Sequence, residues 1–510
     1  MPTEEKGKQG AYTSEDLGRD FARDLTRHFA DRNGRYLRDE NGGLHVILEG
    51  RRISLECRDD NHPLVNLMIE VCDVSTLSQA AKAAIQRIRG EAYVKAGKMR
   101  FRKFSAMSND GERLYIPVDD GNLLRIADGE AKVVPNGDNE DELWIEHPFS
   151  APLKYSEDHD VQQGLADFER LLVDTQACSD PSMRWFVAMN AGFFPFIRDV
   201  CPARMIQQSM GPSQSGKTSG ATRFTLLHGL GDVQIDTTVA TLGNLGDIGL
   251  LVLDNKEQAN FTQPLIDFCL RLATGGERGR SHSDGRVREQ GQGRPVAVIT
   301  TIEGVVKPEL QARCVQVQYV VRGDRLTRSE IEREIKRSRD KIGSSMVQVL
   351  NLYQVNRDQA PVPNPVPTFE EHFRALCDLL RAFGALAAKP DEWSEEIIAQ
   401  WDEVIRGTED EEDDLEHPIN RVLQEIVNTE DATYKGKTGK LYLTEAAELL
   451  TALQKLNIRD IQLPKNPNGL SRRLNSNRFQ SFEFLKTDTP GLSGLKRTGT
   501  KRPIGFFKAR

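Results

Sequence analysis

The sequence predicts an α/β core built on a parallel sheet, preceded by an α+β domain and followed by a winged-helix-like domain. Three observations predict this layout. A glycine-rich segment, residues 211–218, lies between a strand pattern at 203–210 and a helix pattern at 219–227. Apolar segments at 248–253 and 295–299 have the composition of buried parallel strands. A proline-rich stretch at 360–367 and an acidic block at 409–414 separate this core from a basic C-terminal segment.

Length and composition restrict the class of protein. The 510-residue chain is too long for one hydrophobic core, so several domains are expected. Its 28% charged and 38% hydrophobic residues are ordinary for a soluble protein, and no apolar run is long enough for a membrane span. The polar N-terminus lacks a secretory signal. The cysteines are scattered without a C-x-x-C pair, which favours a reducing, cytoplasmic location.

The glycine-rich segment fits the phosphate-binding pattern G-x-x-x-x-G-K-[ST] at every fixed position. Its glycines let the backbone curl so that successive N–H groups point at phosphates, and the next helix directs its N-terminus at the same anion. The lysine reaches the β- and γ-phosphates and the threonine ligates Mg²⁺, so ATP and Mg²⁺ are the expected cofactors. An unliganded glycine-rich turn is the alternative. The candidate nucleotide-binding residues are Gly211, Pro212, Ser213, Gln214, Ser215, Gly216, Lys217 and Thr218.

An apolar strand pattern ends in Asp254, as in the Walker B pattern. The end of such a strand lies beside the phosphate loop, where a carboxylate can hold Mg²⁺. The alternative is a buried strand that ends in a turn aspartate. Asn255 stands where many ATPases of this type have a glutamate that polarises the attacking water. Either Glu257 substitutes for that glutamate, or Asn255 positions water weakly and hydrolysis is slow.

The strand pattern at 295–301 ends in Thr300 and Thr301. Either hydroxyl can bind the γ-phosphate or the attacking water, and Thr301 is the candidate catalytic residue of the two. Alternatively, both residues simply end the strand as β-branched polar side chains.

Arg313 ends a helix pattern at 308–313 and directly precedes a strand pattern at 314–321. From a domain edge in a ring, this arginine would reach the γ-phosphate of a neighbouring subunit and stabilise transition-state charge. The alternative is a local salt bridge.

Residues 275–288 are rich in glycine and arginine, and Asp284-Gly285 predicts a hairpin turn. A basic hairpin here can enter a central pore and contact DNA phosphates. The alternatives are an inter-subunit role for one arginine at ATP, and a plain exposed hairpin. The candidate DNA contacts are Arg278, Arg280, His282, Arg286 and Arg288.

The rest of the chain is divided around this core. Residues 1–160 are the N-terminal α+β accessory domain, with helices at 14–29 and near 76–88 and strands at 45–48, 52–55 and 113–118. In the first helix, Leu17, Phe21, Leu25 and Phe29 form the expected apolar face. The P-loop domain spans 165–325. A helical region with the proline-rich linker spans 326–406, with helices at 328–354, 369–386 and 393–405. The acidic block is expected to be a solvated linker.

The C-terminal domain, 415–510, resembles a winged helix. Helix patterns begin at 441, with Thr444 as the cap, and at 469, and strand patterns at 482–485 and 503–507 form a wing around a basic turn at 496–502. Such a wing often touches the DNA backbone. Alternatively, the fold docks a protein or the basic segment is a solubilising tail. The candidate DNA contacts are Arg472, Arg473, Lys496, Arg497, Lys501 and Arg502.

The order of these features resembles the compact AAA+ and superfamily 3 helicase ATPases. More narrowly, Leu253-Asp254-Asn255 and residues 272–276, 301–304 and 310–313 resemble P-loop ATPases of phages and integrative mobile elements. The resemblance covers residues 165–325 well and the C-terminal domain loosely. It implies a homo-hexameric ring that couples ATP hydrolysis to movement on DNA. It also implies that Lys217 and Thr218 bind phosphate and Mg²⁺, that Asp254 completes the metal site, and that Arg313 acts in trans.

The chain departs from that family at two positions. The sensor residue, usually asparagine in superfamily 3 helicases, is threonine here, and the Walker B pair is Asp254-Asn255. Both departures bear on hydrolysis more than on nucleotide binding.

Two functions fit these features. The first is an ATP-dependent DNA helicase or translocase, replicative or origin-processing, that acts on single-stranded or forked DNA. The second is a non-translocating switch that assembles with ATP and recruits partners in replication initiation or anti-phage defence. A small-molecule kinase is disfavoured because the extra domains and the basic hairpin have no role in it. No membrane partner is expected.

Overall fold

The computed structural model describes most of the chain in two compact units. The first comprises Met1–Val305, Arg313–Val362 and Thr368–Glu395, and the second comprises Val306–Ala312, Pro363–Pro367 and Glu396–Arg510. The described residues are 13–57, 62–73, 77–118, 121–146, 151–230, 248–257, 260–275, 278–281, 287–291, 295–302, 304, 307–321, 327–363, 365, 367–413, 429–434, 437–455, 483–485 and 503–509.

The N-terminal part of the first unit joins helices to small sheets. Its elements are α1 (Ser14–Asp31), β1 (Arg35–Arg38), β2 (Leu44–Leu48), β3 (Arg51–Ser54), α2 (Pro63–Cys72), α3 (Gln79–Lys95), β4 (Gly97–Lys98), β5 (Arg100–Lys103), β6 (Ala106–Met107), β7 (Leu114–Pro117), β8 (Asn122–Ala127), β9 (Glu130–Pro135) and β10 (Leu143–Glu146). The sheet β3-β2-β1-β4 shares a core with α1, α2 and α3, and a meander β6-β7-β8-β9 and the pair β5-β10 follow. The predicted helices and strands of this region are present, with α2 and several strands in addition.

Helix α1 buries most of the face that its apolar spacing predicts, and Leu17 is the exception. Leu25 and Phe29 are buried as expected, but Leu17 is 39% exposed. Gly18 lies against α3 instead, where an added β-carbon would come within 2.8 Å of the Ala83 β-carbon. In the first turns of α1 the residue that faces α3 is therefore Gly18 and not Leu17.

A buried arginine connects this region to the core that follows it. The Arg198 guanidinium donates hydrogen bonds to the Ser105 hydroxyl at 2.7 Å and to the backbone oxygens of Pro195, Lys103 and Ser105 at 2.8–3.2 Å. The ring of Phe104 stacks on Phe196 at 5.1 Å between centroids. These contacts hold the end of β5 against the segment that leads into the central sheet.

The core of the first unit is a four-stranded parallel sheet of order β12-β15-β11-β16. The predicted strands at 203–210, 248–253, 295–301 and 314–321 are confirmed with shorter bounds, and β11, β12 and β15 consist almost entirely of buried residues. The sequence also predicts a short strand near 233–236, between the loop and the strand that ends at Asp254, and these residues lie outside the described ones. The elements from here to β16 are α4 (Val161–Phe168), α5 (Ser182–Ala188), α6 (Phe194–Ile197), β11 (Ile206–Met210), α7 (Lys217–Leu227), β12 (Leu250–Leu253), α8 (Gln263–Thr274), β13 (Arg278–Ser281), β14 (Val287–Gly291), β15 (Val296–Thr301), α9 (Pro308–Gln311) and β16 (Cys314–Gln318).

The predicted basic hairpin is present. Strands β13 and β14 pair antiparallel, with Arg280 opposite Arg288. The Asp284-Gly285 turn lies outside the described residues.

Three helices follow the sheet: α10 (Arg328–Asn356), α11 (Glu370–Leu386) and α12 (Trp393–Asp413). Thr327 caps α10 through reciprocal hydrogen bonds with Glu330. The prediction that the acidic block is a linker is wrong over most of its length, because α12 extends through residue 413. Glutamate is a good helix former, and no proline interrupts the segment before Pro418.

The C-terminal part of the second unit is an antiparallel sheet with one described helix. Its elements are β17 (Thr429–Tyr434), β18 (Lys437–Glu445), α13 (Ala446–Lys455), β19 (Glu483–Leu485) and β20 (Pro503–Ala509), with sheet order β17-β18-β20-β19. The predicted pairing of the last two strands is confirmed. The helix predicted from residue 441 begins at Ala446, because Leu441 and its neighbours pair with β20.

Candidate active site

The phosphate-binding pattern forms a tight loop between β11 and α7. Gly211, Gln214 and Gly216 have φ values of +143°, +64° and +89°. A β-carbon on Gly211 would lie 2.3 Å from the Tyr319 backbone oxygen, so only glycine fits there. Helix α7 begins at Lys217, and its first N–H groups are therefore directed at the same space as the loop. The strand–loop–helix context that the pattern requires is confirmed.

Lys217 lies within this loop. Its Nζ donates to the backbone oxygens of Gly211 at 2.6 Å and Pro212 at 2.9 Å, and to the Ser215 hydroxyl at 3.3 Å. Burial lowers the pKa of Lys217, while the negative charges of Glu257 and Asp254 oppose that shift. The ammonium group is thus held at the loop by neutral oxygens, with two carboxylates nearby that favour its charged form.

Asp254 receives two short hydrogen bonds at the end of β12. The hydroxyls of Thr218 and Thr300 both donate to its Oδ1 at 2.6 Å. Thr218 comes from the start of α7 and Thr300 from β15, and Thr300 is only 1% exposed. The structure therefore brings together the two residues predicted to hold Mg²⁺, and it adds a buried hydroxyl that orients the carboxylate.

These donors fit a hard cation. A carboxylate and a hydroxyl are oxygen ligands, and Mg²⁺ is commonly held by few protein groups with phosphates and water completing the shell. In the part of the chain that the structure describes, no group of three His, Cys, Asp or Glu side chains is arranged to hold a metal. Thr218 and Asp254 are therefore suited to a metal that arrives with a phosphate ligand.

The residue after Asp254 makes a left-handed turn. Asn255 has φ +51°, and its backbone N–H donates to the Thr300 hydroxyl at 2.8 Å. The Lys256 N–H donates to the Thr300 backbone oxygen, also at 2.8 Å. Asparagine is among the few residues other than glycine that visit this conformation readily. The Asn255 side chain is thus less important to the observed geometry than its backbone.

That turn returns Glu257 to the end of β15. The Thr301 hydroxyl donates to Glu257 Oε2 at 3.4 Å, and the Ile302 N–H donates to Oε1 at 3.0 Å. Thr301, a predicted sensor of phosphate, holds a carboxylate here. The contact joins residues 44 positions apart and depends on β12 and β15 lying side by side, so the spacing of the residues gives no sign of it.

Arg313 lies at the end of the parallel strands opposite the loop. It directly precedes β16, and its backbone oxygen accepts from the N–H of Ile206 at the start of β11. The loop follows Met210 at the other end of β11, five residues or roughly 16 Å away at the rise of a strand. The backbone of Arg313 is therefore remote from the loop of its own chain.

The structure describes the predicted DNA contacts only in part. Arg278, Arg280 and Arg288 lie on the paired strands of the basic hairpin. The remaining candidates lie outside the described residues: His282, Arg286, Arg472, Arg473, Lys496, Arg497, Lys501 and Arg502. None of the helices in the described ranges has the length and apolar character needed to cross a bilayer.

Comparison with known proteins gives distant structural likenesses only. No protein-family model and no curated protein sequence matches the chain. The active helicase Cch of SCCmec type IV is 10% identical with a TM-score of 0.48, over 93% of this chain and 92% of that one. The apo A form of the NrS-1 C-terminal region is 10% identical with a TM-score of 0.40, over 95% and 98%. The JCV helicase is 15% identical with a TM-score of 0.23, over 48% and 64%.

Proposed function

We propose that this protein is an ATP-dependent DNA helicase or translocase that works as a homo-hexameric ring, as a replicative or origin-processing motor of a phage or mobile element. The observation that carries the proposal is the meeting of Thr218, Asp254 and Thr300 beside the curled loop. A lysine inside the loop and an oriented carboxylate at its edge are expected of a nucleotide site and are not expected of a glycine-rich turn without a ligand.

ATP hydrolysis is the proposed reaction because of the phosphate groups and the metal that these residues can bind. The loop N–H groups and Lys217 bind the β- and γ-phosphates, and the start of α7 adds its partial positive charge. Bound at Thr218 and Asp254, Mg²⁺ would neutralise charge between the β- and γ-phosphates. Thr300 prevents rotation of the Asp254 carboxylate. The protein thus positions the triphosphate and stabilises its developing charge.

The position of Arg313 supports assembly in a ring. An arginine at the end of the strands opposite the loop is badly placed for its own nucleotide, whereas a neighbouring subunit can bring it to the γ-phosphate. An arginine supplied in trans is worth ~10³–10⁵ in rate in GTPases. In this proposal, complete hydrolysis sites form only between subunits.

The basic hairpin is the proposed DNA contact of the motor. Its cross-strand pair Arg280 and Arg288 carries two positive charges on a two-stranded ribbon, which is suited to phosphates. His282 and Arg286, near its turn, and the arginines and lysines of the C-terminal domain would add contacts. The proposed division is an accessory domain at 1–160, the ATPase at 165–325, a helical region at 326–406 and a DNA-binding domain at 415–510.

The test is ATP hydrolysis with and without forked DNA, with strand separation followed in the same samples. The wild type is compared with Lys217→Ala and with the double variant Arg280→Ala/Arg288→Ala. The proposal expects DNA to raise hydrolysis, Lys217→Ala to abolish both activities, and the hairpin variant to hydrolyse ATP without separating strands. Nucleotide-dependent assembly with no DNA stimulation and no strand separation would instead establish the switch that recruits partners.

A further inference from the structure

We infer that Glu257, and not Asn255, is the general base that activates the water attacking the γ-phosphate. The inference rests on the proposed function, because it concerns the chemical step of ATP hydrolysis. In that step the Glu257 carboxylate takes a proton from water. The water oxygen bonds to the γ-phosphorus while the bond from that phosphorus to the β,γ-bridging oxygen breaks. ADP leaves with the electron pair, phosphate is released, and the proton passes from Glu257 to solvent.

The first support is the way the carboxylate is held. Both Glu257 oxygens accept hydrogen bonds from the end of β15, one from the Thr301 hydroxyl and one from the Ile302 N–H. The side chain is half-buried and is not paired in a described salt bridge. Each bond is on a different oxygen, so a carboxylate has further lone pairs free to accept from water. The carboxylate is therefore held in one place and can still accept from a water molecule.

The second support is its position relative to the phosphate-binding residues. Glu257 accepts from Thr301, the neighbour in sequence of Thr300, which donates to Asp254. The negative charges of Glu257 and Asp254 both oppose the burial that lowers the pKa of Lys217. Asp254 itself is occupied by the hydroxyls of Thr218 and Thr300. Two carboxylates therefore serve one site, and only Glu257 is not committed to the proposed metal.

The third support is that Asn255 cannot do this chemistry. An amide is not a base at neutral pH, and the backbone of Asn255 adopts φ +51° to donate to Thr300. Asparagine is enriched among the non-glycine residues that adopt such a left-handed conformation. The left-handed turn at 255 is what brings residue 257 back to β15. Thr301 is accordingly a positioning residue for Glu257.

The test separates binding from chemistry. Binding of a fluorescent ATP analogue and single-turnover ATP hydrolysis are measured for the wild type, Glu257→Gln, Asn255→Gly and Glu112→Gln, the last being an exposed glutamate in the N-terminal region. Glu257→Gln is expected to bind ATP like the wild type and to lose ~10²–10⁴ in hydrolysis rate. Asn255→Gly and Glu112→Gln are expected to stay within about threefold of the wild-type rate, because glycine adopts φ +51° without strain.

The pH dependence tests the positioning role of Thr301. Thr301→Val should lower the hydrolysis rate and move the acidic limb of the pH–rate profile, and Thr301→Ser should restore both, since it keeps the hydroxyl. Wild-type hydrolysis by Glu257→Gln, or loss of hydrolysis in Asn255→Gly with intact Glu257, overturns the inference alone. A wild type that binds no nucleotide overturns the proposed function.

Discussion

Replacing Thr300 with valine tests whether the buried hydroxyl orients the Asp254 carboxylate. Valine has nearly the shape of threonine, so Thr300→Val removes the hydroxyl without opening a cavity. The wild-type hydroxyl donates to Asp254 Oδ1 at 2.6 Å and accepts from the Asn255 N–H at 2.8 Å. Both bonds disappear in the variant, while the bond from Thr218 to Asp254 remains.

The size of the effect follows from the charge on the acceptor. A hydrogen bond to a charged group is worth about 1.5–3 kcal/mol. If the whole of that free energy serves to orient the carboxylate for Mg²⁺, its loss corresponds to about 10- to 150-fold in hydrolysis rate. Nucleotide binding without Mg²⁺ should not change, because the hydrogen bonds that hold Lys217 go to Gly211, Pro212 and Ser215.

The assay is steady-state ATP hydrolysis over a range of Mg²⁺ concentrations, with a thermal melt of each variant to establish that it is folded. Thr300→Ser is the matched control, since it keeps the hydroxyl and loses one methyl group, at a cost of about 1 kcal/mol in stability. Thr300→Val should need more Mg²⁺ and hydrolyse more slowly, and Thr300→Ser should not. A folded Thr300→Val with the wild-type rate at every Mg²⁺ concentration would refute the reasoning.

Three further predictions follow from other contacts. Gly211→Ala should bind nucleotide more weakly in calorimetry and should melt at a lower temperature. The reason is that Gly211 has φ +143° and an added β-carbon would lie 2.3 Å from the Tyr319 backbone oxygen. An unchanged nucleotide affinity would contradict the observed loop. Burial lowers the pKa of His372 well below its usual range. The unfolded state then binds a proton that the folded state does not, so stability should fall as the pH drops below about 6.5, by up to about 1.4 kcal/mol per pH unit. His372→Asn should show a smaller loss between pH 7 and pH 5.5 in thermal melts, and equal losses would disprove it. Arg198→Met should destabilise the first unit by about 3–5 kcal/mol, because the Ser105 hydroxyl and three backbone oxygens lose a buried donor. A variant with the wild-type melting temperature would show that the arginine is dispensable.

Local sequence patterns were sufficient to predict much of the central sheet and its loop. The loop at 211–218 and the strands that carry Asp254 and Thr300 were predictable, because backbone conformation at glycine and burial of apolar runs depend on adjacent residues. The hairpin of β13 and β14 was predictable for the same reason, from a turn dipeptide between basic flanks.

Two errors occurred where a partner distant in sequence decided the outcome. Leu17 is exposed because α3 approaches α1 closely at Gly18. The spacing of apolar residues within α1 cannot predict where α3 packs. Residues 441–445 form a strand because β20 supplies hydrogen-bond partners, although the segment runs directly into a helix. In both cases tertiary packing overrode a local preference.

The sequence by itself determined the phosphate-binding loop, the Asp254 strand and the positions of Lys217 and Thr218, since all of these are features of adjacent residues. Only the tertiary structure decided which side chains each of these residues contacts. The order β12-β15-β11-β16 places Thr300 next to Asp254 and Thr301 next to Glu257, and the parallel pairing of β16 with β11 places Arg313 at the end of the strands opposite the loop. Strand order is a property of the whole sheet, set by how its buried faces pack together, and so the partners of each side chain cannot be read from neighbours in the chain.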